Sequence, residues 1–145
     1  MNDSYFMRIA IEQARQGDWP YGAVVVKDHK VIAQAFNTTT RDRDSTAHAE
    51  VNVIRKALKF IPEASLHGYT LYTTGEPCAM CAGAAIWAGF SRIVYAASIR
   101  QLMGAGHPQI NTTALSIIET GFIPLEVQAG VLADEVLEMI ASRGI

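Results

Sequence analysis

A chain of 145 residues, half of them hydrophobic and 18% charged, suits one domain spanning residues 1–145 with a buried core. Twelve Lys and Arg against fourteen Asp and Glu give a net charge of −2, and Arg41 and Arg43 alternate with Asp42 and Asp44, which argues against a nucleic-acid partner held by clustered cations. No apolar run approaches the ~20 residues of a membrane helix, and the acidic residues Asp3, Glu12 and Asp18 interrupt the opening segment, so an export signal is not expected.

In chain order, "MNDSYFMRIAIEQARQGD" predicts an amphipathic helix capped by Asp3 or Ser4, with Phe6, Ile9, Ala10 and Gln13 at helical spacing and Gly17 at its end. "YGAVVVK" and "KVIAQAF" are β-branched, apolar runs joined by "KDHK", the pattern of a hairpin. "NTTTRDRDST" is polar and loop-like. From Ala47 to about Lys59 the positions Val51, Ile54 and Leu58 follow a helical period, with Pro62 just beyond. "GYTLYTT" has the composition of a strand.

Pro77 then opens a helix over residues 78–90, small or apolar on every side, a pattern that calls for burial on every side. One face can meet a sheet, and the other calls for a second partner, such as another subunit. "SRIVYAA" is a further strand. "IRQLMGAGHPQINTT" reads as a loop with one short helical piece, "TALSIIETG" as a helix, "FIPLEV" as an edge-like strand containing Pro124, and "GVLADEVLEMIAS" as a final helix. Strands alternating with helices predict an α/β sandwich, one central sheet with helices on both faces.

The two cysteines of the chain, Cys78 and Cys81, stand two residues apart in "GEPCAMC". The loop between them is too small for a disulfide to stabilise much, and the expected cytosolic location keeps thiols reduced. A redox pair at a helix N-terminus and a metal site both remain. Upstream, "STAHAEVNVIRKAL" puts His48 and Glu50 at the start of another helix. Within a helix, residues two apart point about 200° away from each other, so these two serve one site only if the helix end itself faces it. Helix N-termini offer unpaired N–H groups and lower thiol pKa values. His48, Cys78 and Cys81 supply one nitrogen and two sulfurs, a natural zinc set that leaves a fourth position open for water. Zinc lowers the pKa of that water to about 7, and Glu50 can carry its proton. His29, His67 and His107 are the other histidines, and none sits at ligand spacing.

"HAE" at 48–50 with "PCAMC" at 77–81 matches the H-x-E…P-C-x-x-C signature of zinc nucleobase deaminases. On these residues the chain resembles the cytidine deaminase superfamily, in the branch containing guanine deaminases and bacterial transfer-RNA adenosine deaminases. The resemblance covers about residues 3–100 and is strongest in "AHAEVNVIRKA" and "GEPCAMCAGAAIWAG". It implies a three-layer α-β-α sandwich with a five-stranded mixed sheet, one zinc per subunit with a bound water or hydroxide, and a homodimer.

By the same resemblance Asn37, eleven residues before His48, hydrogen-bonds the substrate ring, while Tyr21 and Trp87 place aromatic rings near the base. Turn formation competes for Asn37, and core packing for Tyr21 and Trp87. Ala49 lends a backbone group to the pocket, and Glu76 is expected to be structural, accepting backbone N–H bonds. Guanine deaminases carry acidic residues after the fourth strand, whereas "MGAGHPQINTT" has none and offers His107, Gln109 or Asn111 instead. The expected function is hydrolytic deamination of a small amino-heterocycle, a free base such as guanine or a related base, or a nucleoside. A transfer-RNA adenosine deaminase and a non-catalytic zinc-binding protein are the alternatives.

Overall fold

The computed structural model describes residues 2–145. Helix α1 (Asp3–Ala14) leads into β1 (Gly22–Lys27) and β2 (Lys30–Phe36). Next come α2 (Ala49–Leu58), β3 (Thr70–Gly75), α3 (Ala79–Ala88) and β4 (Arg92–Ala97). Two short helices, α4 (Ile99–Gly104) and α5 (Ala114–Glu119), precede β5 (Glu126–Gln128) and α6 (Ala133–Arg143). The strands form one five-stranded sheet in the order β2-β1-β3-β4-β5. β1 is antiparallel to both neighbours, and β3, β4 and β5 run parallel, so the sheet is mixed as expected.

Successive strand residues enter opposite cores. Ala23, Val25, Leu71 and Ile93 pack with Val53 and Ile54 of α2, Ala82, Ala85 and Ile86 of α3, and Ile118 of α5. Val24, Val26, Tyr72 and Val94 pack with Phe6, Met7 and Ala10 of α1 and with Val136, Met139 and Ile140 of α6. The result is the three-layer α-β-α sandwich. Each fully buried Val, Leu or Ile contributes about 1.5–3 kcal/mol. Because β1 is covered on both faces, its sequence is an apolar run and does not alternate.

Local chemistry sets the joints. Asp28 and His29 both take positive φ, 51° and 61°, the backbone of a two-residue hairpin turn. α3 ends at Gly89, whose φ of 91° suits a residue without Cβ. At Gly22 a Cβ would lie 2.1 Å from the Ala10 carbonyl oxygen, so the α1 backbone rests directly on β1.

Two boundaries differ from the sequence expectation. The cap of α1 is Asn2, whose side chain accepts the Tyr5 N–H at 3.0 Å. Asp3 is used elsewhere: its two oxygens accept from Arg92 at 2.8 Å each, and one also accepts from the Tyr72 hydroxyl at 2.7 Å. The last strand is only Glu126–Gln128, shorter than "FIPLEV", since Pro124 has no N–H to give the ladder.

Candidate metal centre and cavity

The parallel strand β3 delivers the chain at its carboxyl end to Glu76, Pro77 and Cys78, the side of an α/β sheet where sites form. Cys78 is the N-cap of α3 and His48 the N-cap of α2, both with extended backbone and neither side chain capping its own helix. His48 Nδ1 lies 3.6 Å from Cys78 Sγ and 3.5 Å from Cys81 Sγ. The three ligand atoms lie within 4.8 Å of one another. Zinc bonds of about 2.3 Å to sulfur and 2.0–2.1 Å to nitrogen at a tetrahedral angle separate N and S by about 3.6 Å. The donor set therefore fits zinc in both chemistry and spacing. As the N-cap, His48 stands outside the helical period, whereas Glu50 is inside the first turn of α2, so residues two apart face one cavity.

The electrostatics are those of a shared proton. The Cys81 thiol donates to Cys78 and, with His48, holds the Cys78 pKa down at about 4. The bond to Cys78 and burial push Cys81 up. His48 is raised, chiefly by its bond to Cys78. Glu50, 6% exposed, is pushed up to about 7, first by burial and then by the negative charge of Cys78, against the pull of His48. Neither cysteine is in a disulfide.

Beside the three ligands opens a cavity of about 450 Å³ that contains His48, Glu50 and Cys78. Trp19, Tyr21, Met80, Leu102 and Ile110 give it apolar walls, and Asn37, Ser45 and Gln109 add polar ones. Among the described residues, no Lys or Arg lines it. Arg41, on the neighbouring loop, is committed to Asp18 Oδ1 at 2.9 Å and to the Gln16 carbonyl at 2.8 Å, and it lies over the Phe36 ring.

The expected site residues separate into three groups. His48, Glu50, Cys78, Asn37 and Tyr21 come together at the cavity. The Asn37 side-chain oxygen accepts from the Thr39 N–H and hydroxyl at 3.1 and 2.9 Å, which leaves its amide N–H groups to donate. Cys81, the third residue of the ligand cluster, is fully buried. Ala49 is buried in the core on the α2 side, outside the cavity lining. Trp87 lies neither in the cavity nor in the core. It is 79% exposed and packs edge-on against Phe122, with ring centroids 4.9 Å apart.

Glu76 behaves as a buried clamp. Its two oxygens accept the N–H groups of Ile99 and Ala114, each at 2.8 Å. Both ends of the segment 99–114 are thereby held to a residue two positions from Cys78. Of the three neutral candidates in that segment, only Gln109 lines the cavity. His107 is buried behind Tyr21 and Asn111 is exposed. The walls Trp19, Met80, Leu102 and Ile110 escaped the sequence reading, because an apolar wall of a pocket has the same pattern as a core residue.

Fold, candidate ligand set, adjoining acid and cavity together have the make-up of a zinc-deaminase centre. Residues 1–97 match the family described as the cytidine and deoxycytidylate deaminase zinc-binding region, and the chain belongs to it. Guanine deaminase of Bacillus subtilis (strain 168) is 42% identical over 111 residues, 73% of this chain and 71% of that protein. A solved structure of guanine deaminase from Bacillus subtilis superposes with a TM-score of 0.72 at 34% identity, covering 100% of this chain and 96% of the other. The tRNA-specific adenosine deaminase of Buchnera aphidicola subsp. Schizaphis graminum is 40% identical over 104 residues, 69% of each chain. A structure from work on A-to-I editing by tRNA:A34 deaminases has a TM-score of 0.81 at 34% identity, covering 94% of this chain and 99% of the other. Deaminases of this family are hydrolases acting on C–N bonds.

Proposed function

We propose that this protein is a hydrolytic deaminase of a free amino-heterocycle, a base such as guanine or a related base, or its nucleoside. The observation that carries the reading is a small, apolar-walled cavity at the candidate metal centre that no Lys or Arg among the described residues lines. A phosphate-bearing substrate would leave its charge unmatched there.

In this reading His48, Cys78 and Cys81 hold one zinc per subunit. Bound there, zinc acts as a Lewis acid that makes water nucleophilic near neutral pH. Glu50 would take one proton from the attacking water and pass it to the ring nitrogen beside the reacting carbon, and then carry the remaining proton of the added hydroxyl to the departing amine as the carbonyl forms. Water is consumed, ammonia leaves, and the ring keeps a carbonyl. Asn37 donates an amide N–H to an acceptor on the ring, and Tyr21 contributes an aromatic wall. The first turns of α2 and α3 point their N–H ends at the region where negative charge develops.

A transfer-RNA adenosine is the second reading, favoured by the 40% identical relative. Against it, α6 carries Asp134, Glu135 and Glu138, and its Arg143 is committed to the Ala14 carbonyl at 2.9 Å. We also propose a homodimer, since α3 is apolar throughout and leaves Trp87 in solvent. A cytosolic location fits the need for two reduced thiols.

The test is ammonia release from zinc-loaded protein across guanine, adenine, cytosine, isocytosine and their nucleosides. Turnover of a free base or nucleoside that falls by 10² or more in Glu50→Ala, with zinc content unchanged, is expected. Turnover of an anticodon stem-loop alone would give the second reading the place of the first.

A further inference from the structure

Asn37 is 4% exposed and stands one residue past β2, where the chain leaves the sheet. The last ladder pair is Gly22 with Phe36. From there to α2 the segment has no regular structure, so individual bonds set its shape. One of them fixes the direction of the Asn37 carboxamide. The Thr39 main-chain N–H, 3.1 Å from that side chain, can only donate, so the atom it meets is the amide oxygen. The Thr39 hydroxyl donates to the same oxygen at 2.9 Å. Among the described residues no group accepts from the Asn37 amide N–H bonds, and the side chain lines the cavity.

Thr39 is in turn suspended between two anchors. On one side Thr38 gives its N–H to the Ala47 carbonyl at 3.0 Å, and its hydroxyl oxygen accepts from the Asn52 amide at 2.9 Å. On the other side Thr40 and Arg41 give their main-chain N–H groups to a single oxygen of Asp18, at 3.0 and 2.8 Å. The second Asp18 oxygen accepts from Arg41 Nε at 2.9 Å. The Asp18 main-chain N–H donates to the Asn37 carbonyl at 2.9 Å, which closes the loop. The Asp18 side chain is 13% exposed, and both its oxygens are occupied by N–H donors. A carboxylate meets all of them, whereas a carboxamide has one oxygen and would set its NH₂ against a donor. We propose that Asp18 and Thr39 are positioning residues for the substrate: the Asp18 carboxylate fixes the turn at 39–41, and Thr39 fixes Asn37 with its amide N–H bonds turned to the ring. This rests on the reading that Asn37 donates to the ring of a free amino-heterocycle. None of these bonds reaches His48, Glu50, Cys78 or Cys81, so the relay governs how the ring is held and leaves the proton transfers alone.

Two double-mutant cycles through Asn37 test this, with kcat and KM measured on those of guanine, adenine, cytosine, isocytosine and their nucleosides that the zinc-loaded wild type turns over. Asp18→Asn should raise KM about tenfold and change kcat by less than about threefold, with zinc content unchanged. Thr39→Val, which keeps the shape and loses the hydroxyl, should raise KM by a smaller factor, and Thr39→Ser should restore it. In an Asn37→Ala background neither Asp18→Asn nor Thr39→Val should have a further effect, because the group they position is gone. A general loosening of the loop, or a direct contact of Thr39 with the ring, would persist in that background. Multiplying effects in either cycle therefore overturn the relay while the free-base reading stands, as does an Asp18→Asn loss confined to kcat or a KM that does not move. If Asp18→Asn fails to fold, the Thr39→Val cycle decides alone, by the same two outcomes. Turnover of none of these compounds, with zinc bound, overturns the relay and the free-base reading together.

Discussion

At the scale of single residues, the same chemical type does different work according to what faces it. Glu50 and Glu76 are both 6% exposed acids beside the metal centre. Burial and the neighbouring negative charge of Cys78 lift the Glu50 pKa to about 7, against the pull of His48. Glu76 is saturated by two N–H donors and serves as structure. Asp3 shows a third environment. Its bond to Arg92 holds its carboxyl below the usual range, outweighing partial burial. A depressed native pKa means stability that is present above the unfolded value of about 3.9 and lost as pH falls through the native one. Asp3→Asn should therefore lower the melting temperature at pH 7, and the gap to wild type should close as pH falls below about 3.9. A gap that persists unchanged at pH 2.5, by differential scanning calorimetry, would mean that the ion pair is not what Asp3 contributes.

At the scale of elements, the segment from α4 to α5 is held at its ends. Ile99 and Ala114 are the first residues of two six-residue helices, too short to be stable alone, and both give their N–H to Glu76. Glu76→Ala leaves two buried donors without partners, a cost of about 1–3 kcal/mol each. Hydrogen exchange should show residues 99–114 losing protection while α1 and β1 keep theirs. Uniform loss across the chain would instead make Glu76 part of the global core. The element boundary most legible in the sequence was one set by local chemistry, the hairpin turn at Asp28 and His29, whereas the helix expected over residues 78–90 ends earlier, at Ala88, with Gly89 as its cap. The cap of α1 was less legible, because Asn2, Asp3 and Ser4 are all good N-cap residues and only the position of Arg92 decides which of them is needed elsewhere.

At the scale of the whole molecule, a metal held by His48, Cys78 and Cys81 would join two helices that the chain separates widely, since His48 and Cys78 are 30 residues apart. Ion binding to the native state alone stabilises it by mass action. Chelation should lower the melting temperature by on the order of 10 °C, and stoichiometric zinc should restore it. Cys78→Ser should lose most of that response. Equal melting temperatures with and without zinc would argue against a site that exists only in the folded chain. The exposed Trp87 and Phe122, at 79% and 64%, belong to this scale too. If they are a subunit contact, sedimentation at micromolar concentration should give a dimer, and Trp87→Lys should shift it toward monomer. A wild-type monomer would remove the contact.

The sequence by itself determined the donor set of the candidate metal centre and the alternation of strands and helices. Both are written in short-range features: the identities at 48, 50, 78 and 81, and periods of two or 3.6 residues. The two-residue gap between His48 and Glu50 was the one local puzzle, and the backbone of an N-cap resolved it. Only the tertiary structure decided which neutral side chain of the segment 99–114 enters the cavity, and that Trp87 does not. Those outcomes depend on contacts such as Tyr21 with His107, 86 positions apart, for which no local pattern exists. Periodicity tells which face of an element is apolar. It carries no information on which distant residue will meet that face, and the walls of a cavity are made of such meetings.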